Sequence, residues 1–224
     1  GNQADIENAD LVIIPGSKNT VKDLMLLKEH GLDSSIKRAY AKGVSIIGVC
    51  GGYQMLGKHL YDPYCVESSH RECKGIGLLE IETTFGREKT TCRVEAKLVD
   101  GSLFTVRSAN GKAAGYGLMK GYEIHMGESE GDIGLFRLKR LSPGGGTVLD
   151  GSKNKNCWGT YIHGVFENDK LRRSLINSIR TRKGLPEARS SYRYSEAKEK
   201  AIDKLAAVVK DNLDMAFIRK AVGL

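Results

Sequence analysis

A chain of 224 residues is long enough to bury a full hydrophobic core as one domain with additions, and 40% hydrophobic with 28% charged residues is an ordinary globular balance. Lys and Arg outnumber Asp and Glu by 35 to 27, a net charge of +8. The basic residues are dispersed, apart from some concentration between Arg172 and Arg182 and in the C-terminal tail, and no nucleic-acid motif accompanies them; this argues against nucleic acid as a partner. No apolar run reaches membrane-spanning length, the polar and acidic start GNQADIEN shows no signal peptide, and five cysteines without a CxxC pair argue against a disulfide framework or structural zinc and fit a reducing cytoplasm.

In chain order, Leu11–Ile14 reads as a strand buried in a parallel sheet. Pro15 and Gly16 end it, and Ser17 to Thr20 lead into a helix through about Glu29. Loops at the carboxyl ends of parallel strands are where α/β sheets place their ligands. Lys18 follows Gly16, but the spacing of a phosphate-binding loop is absent, so ATP is not expected here. Asp33 to Lys42 reads as a second helix, with Leu32, Ile36 and Tyr40 on one face.

Val44 to Val49 is almost wholly apolar and suits a central strand buried on both faces. Cys50 follows, flanked by Gly51 and Gly52. Met55 and Leu56 share a helical face with His59 and Leu60, and Tyr61-Asp-Pro-Tyr64 breaks that helix. Cys50 therefore sits where a strand turns sharply into a helix, the position of a nucleophile elbow. The helix N-terminus is expected to lower its pKa, and the Gly51 N–H to stabilise an oxyanion.

Asp62 to Gly75 reads as a polar loop. Its Cys65, His70 and Cys73 fit no metal-ligand spacing, and no metal is expected. From Gly77 the pattern turns to antiparallel strands: Leu78–Phe85, Thr90–Val99, Ala113–Ile124 and Ile133–Leu138. Within Gly121–Gly127, Glu123 and His125 lie two apart on one strand face. They and the adjacent Tyr122 either line a substrate pocket or form a strand end whose histidine is satisfied by a neighbour. After a turn at Pro143–Gly146, Cys157–His163 reads as a buried strand that brings His163 to the same sheet edge as Cys50, where it can serve as general base. Asn168 or Asp169 caps a helix from Lys170 to about Lys183 with Leu171, Leu175 and Ile179 inward. Beyond Pro186, Ser195–Lys210 and Leu213–Val222 form two amphipathic helices. Ala197, Ala201, Leu205 and Val208 in the first, and Met215, Ile218 and Ala221 in the second, are expected to pack on the same domain.

The run Gly48-Val-Cys-Gly-Gly-Tyr-Gln54 resembles the G-x-C-x-G-x-Q signature of class I glutamine amidotransferases. Taken together, PGSKNT, GVCGGYQMLG, GYEIHMG and GTYIHGVFEND resemble the glutaminase domain of the cobyric acid synthase family, from about Ala9 to the C-terminus. That resemblance implies an α/β fold: a class I glutaminase-like (flavodoxin-like), mostly parallel sheet with flanking helices, an added antiparallel β layer and a C-terminal helical tail. It divides the chain into an amidotransferase domain, residues 1–184, expected to lack its first strand–helix–strand portion, and a helical extension, residues 185–224. It implies Cys50 as nucleophile and His163 as base, an oxyanion hole from Gly51 with Gly16 or Ser17, and substrate contacts from Gln54, Tyr122, Glu123 and His125. The partners it implies are glutamine, an N-terminal synthetase domain that uses Mg-ATP, and a corrinoid substrate whose carboxylates are amidated. No cofactor is expected in this chain itself. Class I members commonly carry His-x-Glu, but Val165 stands at that position here; this is a feature of the cobyric/cobyrinic branch. Glu167 has the wrong spacing; either another acid orients His163, Glu123 being a conceivable one, or the site works as a dyad. The segments GYEIHMG and HGVFEND favour this branch over the lipid II amidating glutaminases, with cobyrinic acid a,c-diamide synthase a less well matched relative. A non-catalytic module of the same fold is the rival from another class.

Overall fold

The computed structural model describes residues 2–99, 103, 116–189 and 192–223. The predicted strand residues Ala113 to Gly115 lie outside them. The first half of the chain runs α1 (Gln3–Glu7), β1 (Leu11–Ile14), α2 (Thr20–Glu29), α3 (Leu32–Ala41), β2 (Ser45–Val49), α4 (Gly51–Leu56), β3 (His59–Tyr61), β4 (Glu72–Lys74) and β5 (Ile81–Leu98). The second half runs β6 (Met119–Gly131), β7 (Phe136–Arg140), β8 (Thr147–Asp150), β9 (Ser152–Asn154), β10 (Cys157–Thr160), α5 (Asp169–Arg182), α6 (Tyr194–Asn212) and α7 (Met215–Val222), with a single 3₁₀ turn at Val165–Glu167 before α5.

Two sheets result. The first has the order β1-β2-β10-β9, with β2 parallel to both β1 and β10 and with β9 antiparallel at the edge. The second has the order β4-β3-β5-β7-β8, with β6 paired to β5. The central strand shows why an almost uninterrupted apolar run is needed there. Ile46 belongs to one core with Val21, Leu24, Tyr53 and Leu60, while Ile47 belongs to a second core with Val94, Phe136, Trp158 and Leu171. A strand with hydrophobic layers on both faces has no polar side to offer. The Asn19 side chain accepts from Lys22 N and caps α2, and the Asn168 side chain accepts from Leu171 N and caps α5.

Three details depart from the sequence expectation. The helix after Cys50 stops at Leu56, and His59–Tyr61 is a strand, parallel to β5 and antiparallel to β4, which itself lies inside the expected loop. Gly57 turns the chain, and Lys58 N donates at once to Ile81 O; sheet pairing outweighs a helical period carried by only four residues. Leu78–Phe85 and Thr90–Val99 join into the single long β5, whose register shifts between Phe85 and Thr90. Finally, α6 and α7 bury no residue, and Leu205 is 64% exposed. Only the first turn of α6 is tied down: Tyr194 N donates to Asp169 Oδ1 at 3.0 Å and Lys198 pairs with Glu167 at 3.4 Å. The apolar stripe of α6 beyond that turn, Ile202, Leu205, Val208 and Val209, is exposed. No helix there is long and apolar enough to cross a membrane.

Candidate active site

Cys50 stands between β2 and α4 with φ 53° and ψ −113°, a conformation that few non-glycine residues adopt. The surrounding packing imposes it. Cys50 N donates to Thr160 O of β10 at 2.9 Å, and Gln54 N returns to Cys50 O at 3.1 Å. Gly52 lets α4 press against β1, since a Cβ there would lie 2.0 Å from Ile14 O.

Beyond β10 the chain continues extended, and His163 exchanges both backbone hydrogen bonds with Tyr122 of β6, N to O at 2.8 Å and O from N at 3.2 Å. The Tyr122 ring stacks on the imidazole with centroids 4.9 Å apart. Gly16, just after β1, separates the histidine from the cysteine: a Cβ on Gly16 would sit 3.3 Å from His163 Cε1 and 3.6 Å from Cys50 Cβ. His163 Nε2, next to Cε1 in the ring, is buried and has no hydrogen-bond partner among the described residues. Burial and the nearby His125 hold the His163 pKa below its ordinary value, so the imidazole is neutral and able to accept a proton at neutral pH.

The expected low cysteine pKa is overturned. Cys50 is 6% exposed, its Sγ rests 3.5 Å from Ile124 O, and its thiol is pushed up to about 11. Burial is the main cause; the Gly51 N–H and Lys89 act in the opposite direction, and Glu67 and Asp150 reinforce the rise. One short helix does not offset desolvation of a buried anion. The thiol is therefore protonated at rest, and ionisation requires a base at the moment of attack.

The two segments expected to supply the oxyanion hole lie together: a Cβ on Gly51 would be 2.9 Å from Ser17 N. The Ser17 hydroxyl donates to Asp23 and accepts from Asn19 N, which holds the loop. Gln54, read from sequence as a substrate contact, is 2% exposed and engaged inside the protein. Its Oε1 accepts from Thr20 Oγ1 and its Nε2 donates to Tyr161 OH, each at 3.1 Å. It braces the oxyanion loop against the end of β10 instead of reaching outward. Glu123 and His125 do share a face, but the buried one, opposite Tyr122. Arg140 Nε donates to Glu123 at 2.8 Å, and His125 lies 3.5 Å from it. Burial alone would raise the Glu123 pKa; His125 and Arg140 bring it below the ordinary range. His125 also stacks on Tyr161, with centroids 3.9 Å apart. Alternation along β6 turns both inward, Glu123 to 2% and His125 to 7% exposure. No carboxylate hydrogen-bonds the His163 imidazole among the described residues; Glu123 is taken up by Arg140 and Glu167 by Lys198.

A cavity of about 410 Å³ is lined by Gly16, Ser17 and Met55, and two more lie close by. One of about 640 Å³ runs along β6 from Met126, two residues beyond the carbonyl that receives Cys50 Sγ, and is walled by Arg87, Glu88, Glu128, Glu130 and Tyr64. The other, about 350 Å³, is bounded by His163, Tyr122, Val49, Phe166, Arg172 and Tyr194. Thr20, Tyr161, Asp150 and the Ile124 carbonyl were not singled out in the sequence. Thr20, Ile124 and Tyr161 left a trace there, as members of the PGSKNT, GYEIHMG and GTYIHGVFEND segments, and Asp150 left none.

A strained cysteine at a strand–helix turn, with a neutral histidine across Gly16, has the parts that thiol-dependent acyl transfer needs. The fold resembles a solved glutamine amidotransferase (TM-score 0.52, 16% identity, 80% of this chain and 83% of that one) and PurLQS from Thermotoga maritima (TM-score 0.50, 16% identity, 79% and 81%). Residues 1–171 match the CobB/CobQ-like glutamine amidotransferase domain, and the chain belongs to that family. It is 46% identical to the cobyric acid synthase of Thermodesulfovibrio yellowstonii over 98% of its length, and 44% identical to that of Caldanaerobacter subterraneus subsp. tengcongensis over 95%. It spans 42% of each of those relatives.

Proposed function

We propose that this chain is the glutaminase portion of a cobyric acid synthase. It would release ammonia from glutamine for the amidation of corrinoid carboxylates, with Mg-ATP acting in the remainder of the protein and with the reducing cytoplasm as its setting. The observation that carries the catalytic part is the meeting of Cys50 and His163 across Gly16. The likeness to cobyric acid synthases supports the substrate.

His163 takes the Cys50 proton as Sγ bonds to the side-chain amide carbon of glutamine. The N–H groups of Gly51 and Ser17 hold the oxyanion. The imidazolium returns the proton to the leaving nitrogen as the C–N bond breaks, freeing ammonia and leaving a γ-glutamyl thioester. Water, deprotonated by His163, then attacks the carbonyl, the C–S bond breaks, and the proton returns to sulfur. The charged walls of the larger cavity suit the two ends of a free amino acid: Arg87 the α-carboxylate, Glu88 or Glu128 the α-ammonium. Tyr122, stacked on His163, holds the imidazole plane.

Glutamate release from glutamine, compared among the wild-type chain, Cys50→Ala and His163→Ala, tests this reading. Release that depends on both residues is expected. Equal release from folded Cys50→Ala protein, or none from folded wild type supplied with the rest of the enzyme, would leave a non-catalytic module.

A further inference from the structure

The active site has no acid on its histidine, yet a carboxylate is buried beside it. Asp150 ends β8 in the second sheet and is followed by Gly151 and by β9 of the first, so it stands where the chain crosses between sheets. It is 3% exposed. Its side chain reaches across the seam to the end of β10: Thr160 Oγ1 donates to one oxygen, and Tyr161 N lies 3.1 and 3.3 Å from the two. Thr160 Oγ1 in turn accepts from Ile162 N at 3.1 Å. The clamped residues serve the catalytic pair directly. Thr160 O receives the Cys50 N–H, Tyr161 OH receives Gln54, and His163 follows Ile162.

We propose that Asp150 is the positioning acid of this site, acting on His163 and Cys50 through the backbone of residues 160–162 and not through the imidazole. This rests on the glutaminase reading. A buried carboxylate without a cationic partner is costly, and burial raises its pKa to about 6, against the hydrogen bonds from Thr160 and Tyr161. The titratable groups coupled to it are the Glu123 carboxylate from β6, the neutral Tyr53 and Tyr161 hydroxyls, and the neutral Cys50 thiol; none of these is a cation. A packing role alone would be served as well by an apolar side chain.

The test compares wild type, Asp150→Asn, Thr160→Val and Thr160→Ser in the full enzyme, with folding checked by thermal unfolding. Asp150→Asn keeps an acceptor for Tyr161 N but presents a donor to Thr160. We expect a tenfold or larger fall in kcat for glutamine hydrolysis with KM changed less than twofold. Thr160→Val should show the same fall, and Thr160→Ser should recover most of the rate lost in Thr160→Val. Alkylation of Cys50 by iodoacetamide is the second readout. Removing the Asp150 charge should shift its pH profile toward lower pH even as turnover drops, a combination that loosened packing would not produce. A kcat within twofold of wild type in Asp150→Asn overturns the proposal, as does an unshifted alkylation profile. If Asp150→Asn does not fold, the contrast between Thr160→Val and Thr160→Ser decides: equal rates overturn the proposal. A wild-type enzyme that releases no glutamate sinks the glutaminase reading instead, and the alkylation profile still judges Asp150.

Discussion

The Cys50 elbow and the C-terminal extension carry similar sequence signals and meet opposite fates. Both have apolar residues at helical spacing. In α4 every residue is buried, and even the glycines are in contact on all sides; in α6 and α7 none is buried. Spacing reports that a helix has an apolar face. What covers that face is decided by the elements that chain topology brings alongside. The elbow is wedged between β1, β2 and β10, whereas α6 is tied to the domain near its start, at Asp169, Glu167 and Arg172.

The sharpest break in the comparison comes from chemistry. Cys50→Ala or His163→Ala should lower glutaminase kcat roughly 1,000-fold or more, since nucleophile and base act as one unit; steady-state glutamate release reads this. Gly52→Ala comes next. Its methyl would enter the Ile14 carbonyl, which cannot retreat without moving β1. We expect a loss of about 3 kcal/mol or more in denaturant unfolding, among the largest single-residue effects. Gln54→Leu leaves Thr20 Oγ1 and Tyr161 OH short of a buried partner and should cost about 2 kcal/mol, with kcat reduced because the oxyanion loop is no longer braced. At the other extreme, Leu205→Ser in α6 should change stability by less than about 0.5 kcal/mol, read by the same unfolding curve. A clear loss there would mean that the stripe is covered in solution.

The pH dependence sharpens the contrast from within the buried region. The Asp150 pKa is raised from an ordinary 3.8 to about 6. The folded state therefore binds the proton more tightly than the unfolded one between those values. The stabilisation this provides is fully present below 3.8 and is lost as pH rises through about 6. Asp150→Asn removes that dependence, so the stability of the variant relative to wild type should improve as pH rises from 4 to 7. Urea midpoints at the two pH values check it, and a constant difference would contradict the assignment. The catalytic acid limb moves the other way. With His163 as the proposed neutral base, its lowered pKa should place the acid limb of kcat/KM below that of an ordinary histidine, read from a kcat/KM profile against pH.

Much of the site was legible locally. The apolar run into Cys50, the glycines after it and the histidine ending another apolar strand are each properties of a few consecutive residues, set by strand period and turn chemistry. They sufficed to propose Cys50 and His163 as partners, and the four motif segments sufficed to identify the family. The helical tail was likewise readable as two helices. Tertiary structure decided what depends on the neighbours of a side chain. It raised the Cys50 pKa where the local helix argued for a fall, because desolvation is a property of the enclosing fold. It turned Gln54, Glu123 and His125 inward, where Thr20 and Tyr161 hold Gln54 and Arg140 holds Glu123. It converted His59–Tyr61 into a strand because Ile81 offered a carbonyl, and it left α6 uncovered. Above all it carried Asp150 to Thr160 across the seam of two sheets. Sequence alone determined which residues have the chemistry to act and which local geometry presents them. Only the folded chain determined their protonation and their partners, because electrostatic free energy and hydrogen bonding depend on distance in space, and periodicity along the chain does not report it.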